Sequence, residues 1–222
     1  MEQLADGLWQ LSGFPKHGIN EYLIGDVLVD AGAKLDRRHI LKDLKGHEVN
    51  AHALTHAHVD HQGASKAVCE TLGVPFWVGT KDADAAEDPR LILQRQPRHP
   101  INNVFYRLMA GPGHPVDRKL VEGDEVGGFT VLDVPGHSAG HVAFWRESDR
   151  ALVLGDVLNS MHVFTAIRGL REPPTFFTPD SVRNRESARR LGQLEPKLVC
   201  FGHGPPERDT KKFVEFCAGL PV

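Results

Sequence analysis

The chain has 222 residues, of which 41% are hydrophobic and 25% are charged. These values predict a globular protein with a full core, formed as a single domain over residues 1–222. The 26 basic and 29 acidic residues give a net charge of −3, which excludes a general positive field for nucleic acid or an anionic membrane. No export signal or membrane-length apolar run is visible, so we expect a cytoplasmic protein.

Glycine and proline divide the first part of the chain into short segments. Apolar residues recur with helical spacing after position 35 and again before Gly73, which is expected to end the second helix. The three cysteines lack CxxC spacing and are expected to be buried packing residues. The predicted strands are 7–11, 21–24, 27–30 and 74–78, and the predicted helices are 35–44, 63–72 and 81–88.

The segment 89–115 is the least regular part of the chain and is rich in proline and arginine. We predict an insertion here, with a helix around 90–96 followed by an irregular cover. A loop is expected after Asp156 and up to Pro179, and Asp180 or Ser181 can cap a helix that continues to about Leu194. The remaining predicted strands are 129–134, 142–145, 151–154 and 198–201, and the closing helix is 210–217.

The run Thr55-His56-Ala57-His58-Val59-Asp60-His61 concentrates metal-binding side chains directly after a short apolar segment. Alternate side chains of an extended strand point the same way, so His56 and His58 can reach one ion together. Asp60 and His61 follow at the turn before the next helix and can reach a second ion. Imidazole and carboxylate are ligands that zinc accepts, so this run predicts a metal site.

Three later positions place a histidine or an aspartate just beyond an apolar strand and beside glycine, namely His137, Asp156 and His203. Glycine lets the backbone turn tightly and approach a site closely. Each position alone is weak evidence for a ligand. Together with the first run, they complete two coordination spheres.

The order of these motifs resembles the metallo-β-lactamase superfamily. Thr-His-x-His-x-Asp-His is followed by Pro-Gly-His-Ser-x-Gly-His, then Gly-Asp and then Gly-His-Gly. The resemblance extends from the predicted strand end at Asp30-Ala31-Gly32 to His203. It implies an α/β fold, the four-layer αβ/βα sandwich, with two mixed sheets face to face, helices outside and metals at one edge.

The resemblance also implies a ligand set, which is closest to that of the glyoxalase II branch and contains no cysteine. Asp30 matches a carboxylate that orients ligand histidines, whereas His141 is expected to support the site rather than to bind metal. The implied ligands are His56, His58 and His137 for the first metal, Asp60, His61 and His203 for the second, and Asp156 as a bridge between both.

Two Zn²⁺ ions are the expected cofactors, although iron or manganese also fits a set of nitrogen and oxygen ligands. Such a pair would lower the pKa of a bridging water and supply hydroxide near neutral pH. Asp60 and Asp156 are the candidate catalytic residues, as ligands and as proton acceptors.

The sequence departs from known branches of the superfamily at several positions, and these departures limit the substrate classes that we expect. Only 19 residues (222 minus 203) follow His203, too few for the glutathione-binding domain of glyoxalase II. Asn159 stands where the lactonases of the superfamily carry a tyrosine. The segments 14–20, 90–107 and 159–164 are expected to frame the pocket. We therefore predict hydrolysis of a small ester or thioester.

Several alternatives remain open on the sequence alone. The same site could serve a lactonase, a weak β-lactamase or an iron-dependent sulfur dioxygenase, or the chain could be a metal-holding module without catalysis. A small-molecule substrate is the expected partner, with no nucleic acid and no membrane, and a homodimer is left open.

Overall fold

A seven-stranded sheet forms one half of the computed structural model, which describes residues 1–221. Its strands follow one another in chain order, antiparallel up to the fourth strand and parallel from there to the seventh. The strands are β1 Glu2–Ala5, β2 Leu8–Gln10, β3 Tyr22–Ile24, β4 Val27–Val29, β5 Ala51–Ala53, β6 Phe76–Gly79 and β7 Arg118–Leu120.

A five-stranded sheet forms the other half and is antiparallel except for its edge pair β11–β14. The strands are β8 Glu125–Val126, β9 Phe129–Asp133, β10 Val142–Arg146, β11 Ala151–Val153 and β14 Leu198–Cys200. They lie in the order β14-β11-β10-β9-β8. A separate hairpin pairs β12 Asn159–Met161 with β13 Arg168–Arg171.

The main core lies between the two sheets. Tyr22 and Val29 of the larger sheet belong to one buried apolar cluster with Phe129, Phe144 and Cys200 of the smaller sheet. Strands buried on both faces need apolar residues at consecutive positions, which explains fully buried segments such as β4 and β11.

Helices cover the outer face of each sheet. Ile40 and Val68 pack with the outward residues Leu23 and Leu28 of the larger sheet, and Phe213 packs outside the smaller sheet. This layering confirms the predicted α/β fold and its four-layer sandwich. The helices are α1 Arg37–Asp43, α2 Val59–Gln62, α3 Ser65–Leu72, α4 Ala83–Glu87, α5 Arg90–Arg95, α6 Pro100–Met109, α7 Ser181–Gly192 and α8 Thr210–Ala218, with a 3-10 helix at Thr175–Phe177.

The structure corrects the expectation of an irregular cover within 89–115. The predicted helix near position 90 is α5, but the segment beyond it forms the regular helix α6. Pro100 lies in the first turn of α6, where its missing N–H has no intrahelical partner to lose. The side chain of His99 accepts a hydrogen bond from the Ile101 N–H and caps the helix. Proline here starts a helix rather than preventing one.

The structure also bears on four further expectations. The predicted loop before Pro179 contains the hairpin β12–β13, so that expectation was wrong for 159–161 and 168–171. The helix predicted over 63–72 is α3, which begins two residues later at Ser65 and is preceded by the short helix α2. Asp180 caps α7 by accepting from the Arg183 N–H, as predicted. The cysteines are unpaired and buried, also as predicted.

None of the helices in residues 1–221 combines the length and the apolar character that crossing a membrane requires.

Candidate metal centre

Loops at one edge of the sandwich bring the predicted ligands together. The loop after β5 carries His56 and His58, and α2 starts immediately afterwards with Asp60 and His61 in its single turn. From the smaller sheet, His137 lies in the β9–β10 loop, and Asp156 and His203 follow β11 and β14. All seven predicted metal ligands therefore meet at this edge.

His56, His58 and His137 form the first half of the centre. One nitrogen of each lies within 4.8 Å of the others. The three rings are buried, with centroids 4.5–4.8 Å apart. Burial and neighbouring imidazoles hold the pKa of His56 and of His137 well below the usual value. Burial also lowers the pKa of His58. All three rings are therefore neutral at pH 7, the form that binds metal.

Asp60, His61 and His203 form the second half of the centre, with one ligand atom of each within 4.8 Å of the others. His203 Nε2 is 3.3 Å from Asp60 Oδ2. Burial opposes the charged form of His203, but Asp156 and Asp60 outweigh it and raise its pKa to about 10. Burial likewise opposes charge on His61, while Asp30, Asp156 and Asp60 raise its pKa well above the usual value. These rings are charged when no metal is bound.

Asp156 connects the two halves. Its Oδ2 atom is 3.6 Å from His137 Nε2 and 3.1 Å from His203 Nε2, and its Oδ1 atom is 3.7 Å from His61 Nε2. Burial favours the neutral acid, but His203 and His61 hold the pKa of this carboxyl well below the usual value. An ionised carboxylate thus faces imidazoles from both halves.

Several ligand atoms are buried and lack a hydrogen-bond partner within residues 1–221. They are His56 Nε2, His61 Nε2, His137 Nε2 and Asp156 Oδ1. Buried polar atoms without partners are costly, and clustered imidazole and carboxylate atoms are relieved of this cost by a divalent ion. The residues present therefore fit a metal centre.

Hydrogen bonds at Nδ1 leave Nε2 free on His56 and His137 of the first half. The Thr55 hydroxyl donates to Asp30 Oδ2, so it accepts from His56 Nδ1–H at 2.9 Å. Thr178 donates to a carbonyl and accepts from His137 Nδ1–H at 3.0 Å. A ligand histidine is oriented in this way when its other nitrogen binds metal.

In the second half, the Nδ1–H groups of the histidines donate to stronger hydrogen-bond acceptors. His61 Nδ1–H donates to the Asp30 carboxylate at 2.9 Å, which places Asp30 where the sequence predicted an orienting carboxylate. Asp30 also accepts from the Thr55 N–H. His203 Nδ1–H donates to the Gly18 carbonyl at 2.5 Å. The second half thus rests on a carboxylate and a carbonyl, and the first on two hydroxyl groups.

Sequence reasoning missed Asp82, which joins two of the ligand loops. The buried carboxylate accepts from the Ala57 N–H, the Ser138 hydroxyl and the Gly140 N–H. Its place just after β6 is the same strand-end position that identified the ligands, so this signal was available. Thr178 was also missed, because a threonine 41 residues from His137 carries no local signal.

His141 is buried beside His56, with ring centroids 4.5 Å apart. Neither ring nitrogen has a hydrogen-bond partner within residues 1–221. Its contact with the centre is therefore one of packing, without a hydrogen bond to a ligand histidine.

A cavity of about 180 Å³, here called the metal-facing cavity, opens onto the centre. Its walls include ligands from both halves together with side chains from all three segments that were expected to frame the pocket. Phe14 is 98% exposed and is not among them, whereas Phe177 is. The ligands that reach this cavity are His58, Asp60, His137, Asp156 and His203.

A second cavity of about 430 Å³, here called the basic cavity, adjoins the first at His58 and His137. Both histidines line both cavities. Its basic side chains are Lys81, Arg95 and Arg183, and its acidic side chains are Asp82 and Asp180, while Arg95 is also paired with Asp84.

The sequence of this chain was compared with protein families and with known proteins, and the matches agree with the ligand geometry described above. The family model described as the metallo-beta-lactamase superfamily matches residues 17–203. The probable metallo-hydrolase YflN of Bacillus subtilis is 29% identical over 199 residues, which cover 81% of this chain and 75% of that protein.

Solved structures share the fold as well. The B3 metallo-beta-lactamase BLEG-1 is 29% identical with a TM-score of 0.70, and the match covers 96% of this chain and all of that chain. The protein TTHA1623, solved in a di-iron-bound form, is 30% identical with a TM-score of 0.64, and the match covers 89% and 92% of the two chains.

Proposed function

Because this chain belongs to the metallo-beta-lactamase superfamily, we propose that it is a binuclear metal-dependent hydrolase of an ester or thioester-type small molecule. The observation that carries the proposal is the position of Asp156. Its two oxygens face imidazoles of both halves of the centre at 3.1–3.7 Å. A single carboxylate shared in this way suits a pair of ions held close together.

The first ion would be held by His56, His58 and His137, the second by Asp60, His61 and His203, and both by Asp156. When bound, such a pair supplies a nucleophilic hydroxide near neutral pH and polarises a carbonyl oxygen. We favour zinc, because imidazole-rich hydrolytic sites commonly use it. Iron is the second choice, supported by the di-iron form of the similar protein TTHA1623.

Asp60 has a second role in the proposal. Its carboxylate is half-buried beside His61 and His203, and although desolvation raises its pKa, these two imidazoles hold the pKa well below the usual value. It therefore stays ionised at neutral pH and borders the metal-facing cavity. We assign it to accept a proton during the reaction, alongside Asp156.

The experiment is a metal analysis followed by a substrate screen. Protein produced in medium that holds both zinc and iron should contain two ions per chain. It should hydrolyse a 4-nitrophenyl ester or an acyl thioester, and removal of the metal should abolish this activity. Two ions with no hydrolysis of any ester, thioester, lactone, nitrocefin or phosphodiester would refute the proposal and favour a non-catalytic metal-holding module.

A redox function on the same ligands is the other candidate to separate. Iron alone in the purified protein, with oxygen consumption in the presence of a persulfide, would replace the hydrolase by an iron-dependent sulfur dioxygenase.

A further inference from the structure

The metal-facing cavity continues from the metal centre into a wall of uncharged side chains. This outer wall comes mainly from α5, α6, the 3-10 helix and the loop before β3. Its apolar members include Ile19, Leu93, Phe105, Met109, Val163 and Phe177. Pockets of this composition bind hydrocarbon groups, with a few polar atoms to fix orientation.

The charges near the centre are distributed unequally. Within residues 1–221, no lysine or arginine side chain lines the metal-facing cavity. Lys81, Arg95 and Arg183 instead line the basic cavity, which adjoins the metal-facing cavity at His58 and His137. A substrate carboxylate in the outer part of the metal-facing cavity would therefore lose its hydration without gaining a cationic partner. The outer wall disfavours anions.

Packing holds this wall in place before any substrate arrives. The ring of Phe105 meets Phe177 edge-on, with centroids 5.4 Å apart, and Phe177 meets Phe176 at 4.6 Å. The side-chain amide of Asn102 donates to the carbonyls of Pro97 and Phe176, at 2.9 and 2.8 Å, and so ties α6 to the 3-10 helix. A preformed wall recognises a substrate at a lower ordering cost.

The volume limits the size of the group that fits. The metal-facing cavity measures about 180 Å³, and an apolar protein cavity of roughly 150 Å³ is known to bind benzene. We infer that the cavity selects substrates whose acyl group is uncharged and apolar, with up to about six carbons, over acyl groups that end in a carboxylate. This inference rests on the proposed hydrolase function, since the metal ligands are taken to mark the reacting end of the cavity.

A substrate series tests the inference on the zinc-loaded protein. The series contains the 4-nitrophenyl esters of acetate, butyrate and hexanoate, and the mono-4-nitrophenyl ester of adipate, which has the hexanoate carbon count with a terminal carboxylate. Each buried methylene should raise kcat/KM about fourfold from acetate to hexanoate. Adipate should react at least about tenfold more slowly than hexanoate. A flat series, or adipate equal to hexanoate, would overturn the inference.

A pair of variants on α5 tests whether the outer wall is the source of the preference for hexanoate over adipate. Leu93→Arg places a positive charge in the wall, whereas Gln94→Arg places the same side chain at the exposed neighbouring position, outside the lining. Leu93→Arg should lower the preference for hexanoate over adipate by about tenfold or more, and Gln94→Arg should leave the ratio near that of the wild type. Equal changes in both variants would show a general field and contradict the assignment of the wall.

A binding measurement separates the two hypotheses and requires no turnover. Calorimetry on the zinc-loaded protein should show hexanoate binding at least about tenfold more tightly than acetate. Preferential binding without any ester hydrolysis would refute the proposed hydrolase and retain the apolar cavity. Metal-dependent hydrolysis without a chain-length preference in binding or turnover would retain the hydrolase and refute the apolar cavity.

Discussion

The two halves of the metal centre place the same imidazole ring in opposite electrostatic settings. In the first half, histidines face other histidines, and two threonine hydroxyls hold His56 and His137. In the second half, carboxylates surround His61 and His203, and Asp30 holds His61. Rings a few ångströms apart therefore have pKa values shifted in opposite directions. The neighbours of a histidine, and not its burial alone, decide whether a metal must compete with a proton for it.

The largest effect is expected from removing the side chain of Asp156, which the two halves share. Asp156→Ala should reduce the metal content from two ions to at most one and lower kcat/KM by about a thousandfold, beyond the ten- to hundredfold loss typical of outer-shell changes. Metal analysis and ester hydrolysis measure both. Asp6→Ala, at an exposed aspartate far from the site in sequence, is the control and should change neither. Two retained ions and full activity in Asp156→Ala would show that this carboxylate bridges nothing.

The second prediction concerns how the metal affinity of each half depends on pH. His61 and His203 are protonated in the metal-free protein at neutral pH, so metal binding in the second half must displace protons. Affinity there should fall about a hundredfold per unit as the pH is lowered from 8 to 6, because two protons compete. The first half, whose imidazoles have lowered pKa values, should lose much less affinity over this range.

Calorimetric titration at several pH values, in buffers of different protonation enthalpy, measures the displaced protons directly. Release of protons when the ion of the first half binds, and none when the ion of the second half binds, would contradict the proposed difference between the halves.

The third prediction concerns a variant that weakens metal binding in the second half alone. Asp30 has a φ of 61°, a backbone conformation that asparagine also tolerates. Asp30→Asn should therefore keep the fold but remove the anionic acceptor of His61 and lower the second ion's affinity by roughly ten- to hundredfold. Competition with a chelator measures both affinities. A matching loss in the first half would indicate that Asp30 supports the whole centre through Thr55.

The smallest expected effect lies in the first half. Thr178→Val removes a neutral acceptor from His137 Nδ1, which is worth about 1 kcal/mol and roughly a fivefold loss of affinity for the first ion. Thr175→Val makes the same change at an exposed position three residues away. Chelator competition should separate the two variants. A loss as large as that of Asp30→Asn would mean that the hydroxyl and the carboxylate support their histidines equally.

The sequence predicted much of this centre because its ligands follow strand ends. His56, His58, Asp60 and His61 are close in sequence, and β5 and α2 bring them together with little intervening chain. The supporting contacts were harder to predict. Thr178 and Gly18 reach His137 and His203 from distant loops, and only the packed tertiary structure brings them there.

The fold was predicted best where apolar residues alternate or recur regularly, and worst where proline was read only as a breaker. Pro100 begins α6, which forms much of the cavity wall. The hairpin β12–β13 was missed because its pairing places Asn159 opposite Arg171, two polar residues without the apolar alternation that predicts a strand.

Anomalous diffraction at the zinc edge, on crystals of protein saturated with zinc, tests the central claim most directly. We predict two peaks, one within reach of His56, His58 and His137 and the other within reach of Asp60, His61 and His203, with Asp156 between them. A single peak, or a second peak away from Asp156, would contradict the shared two-ion centre.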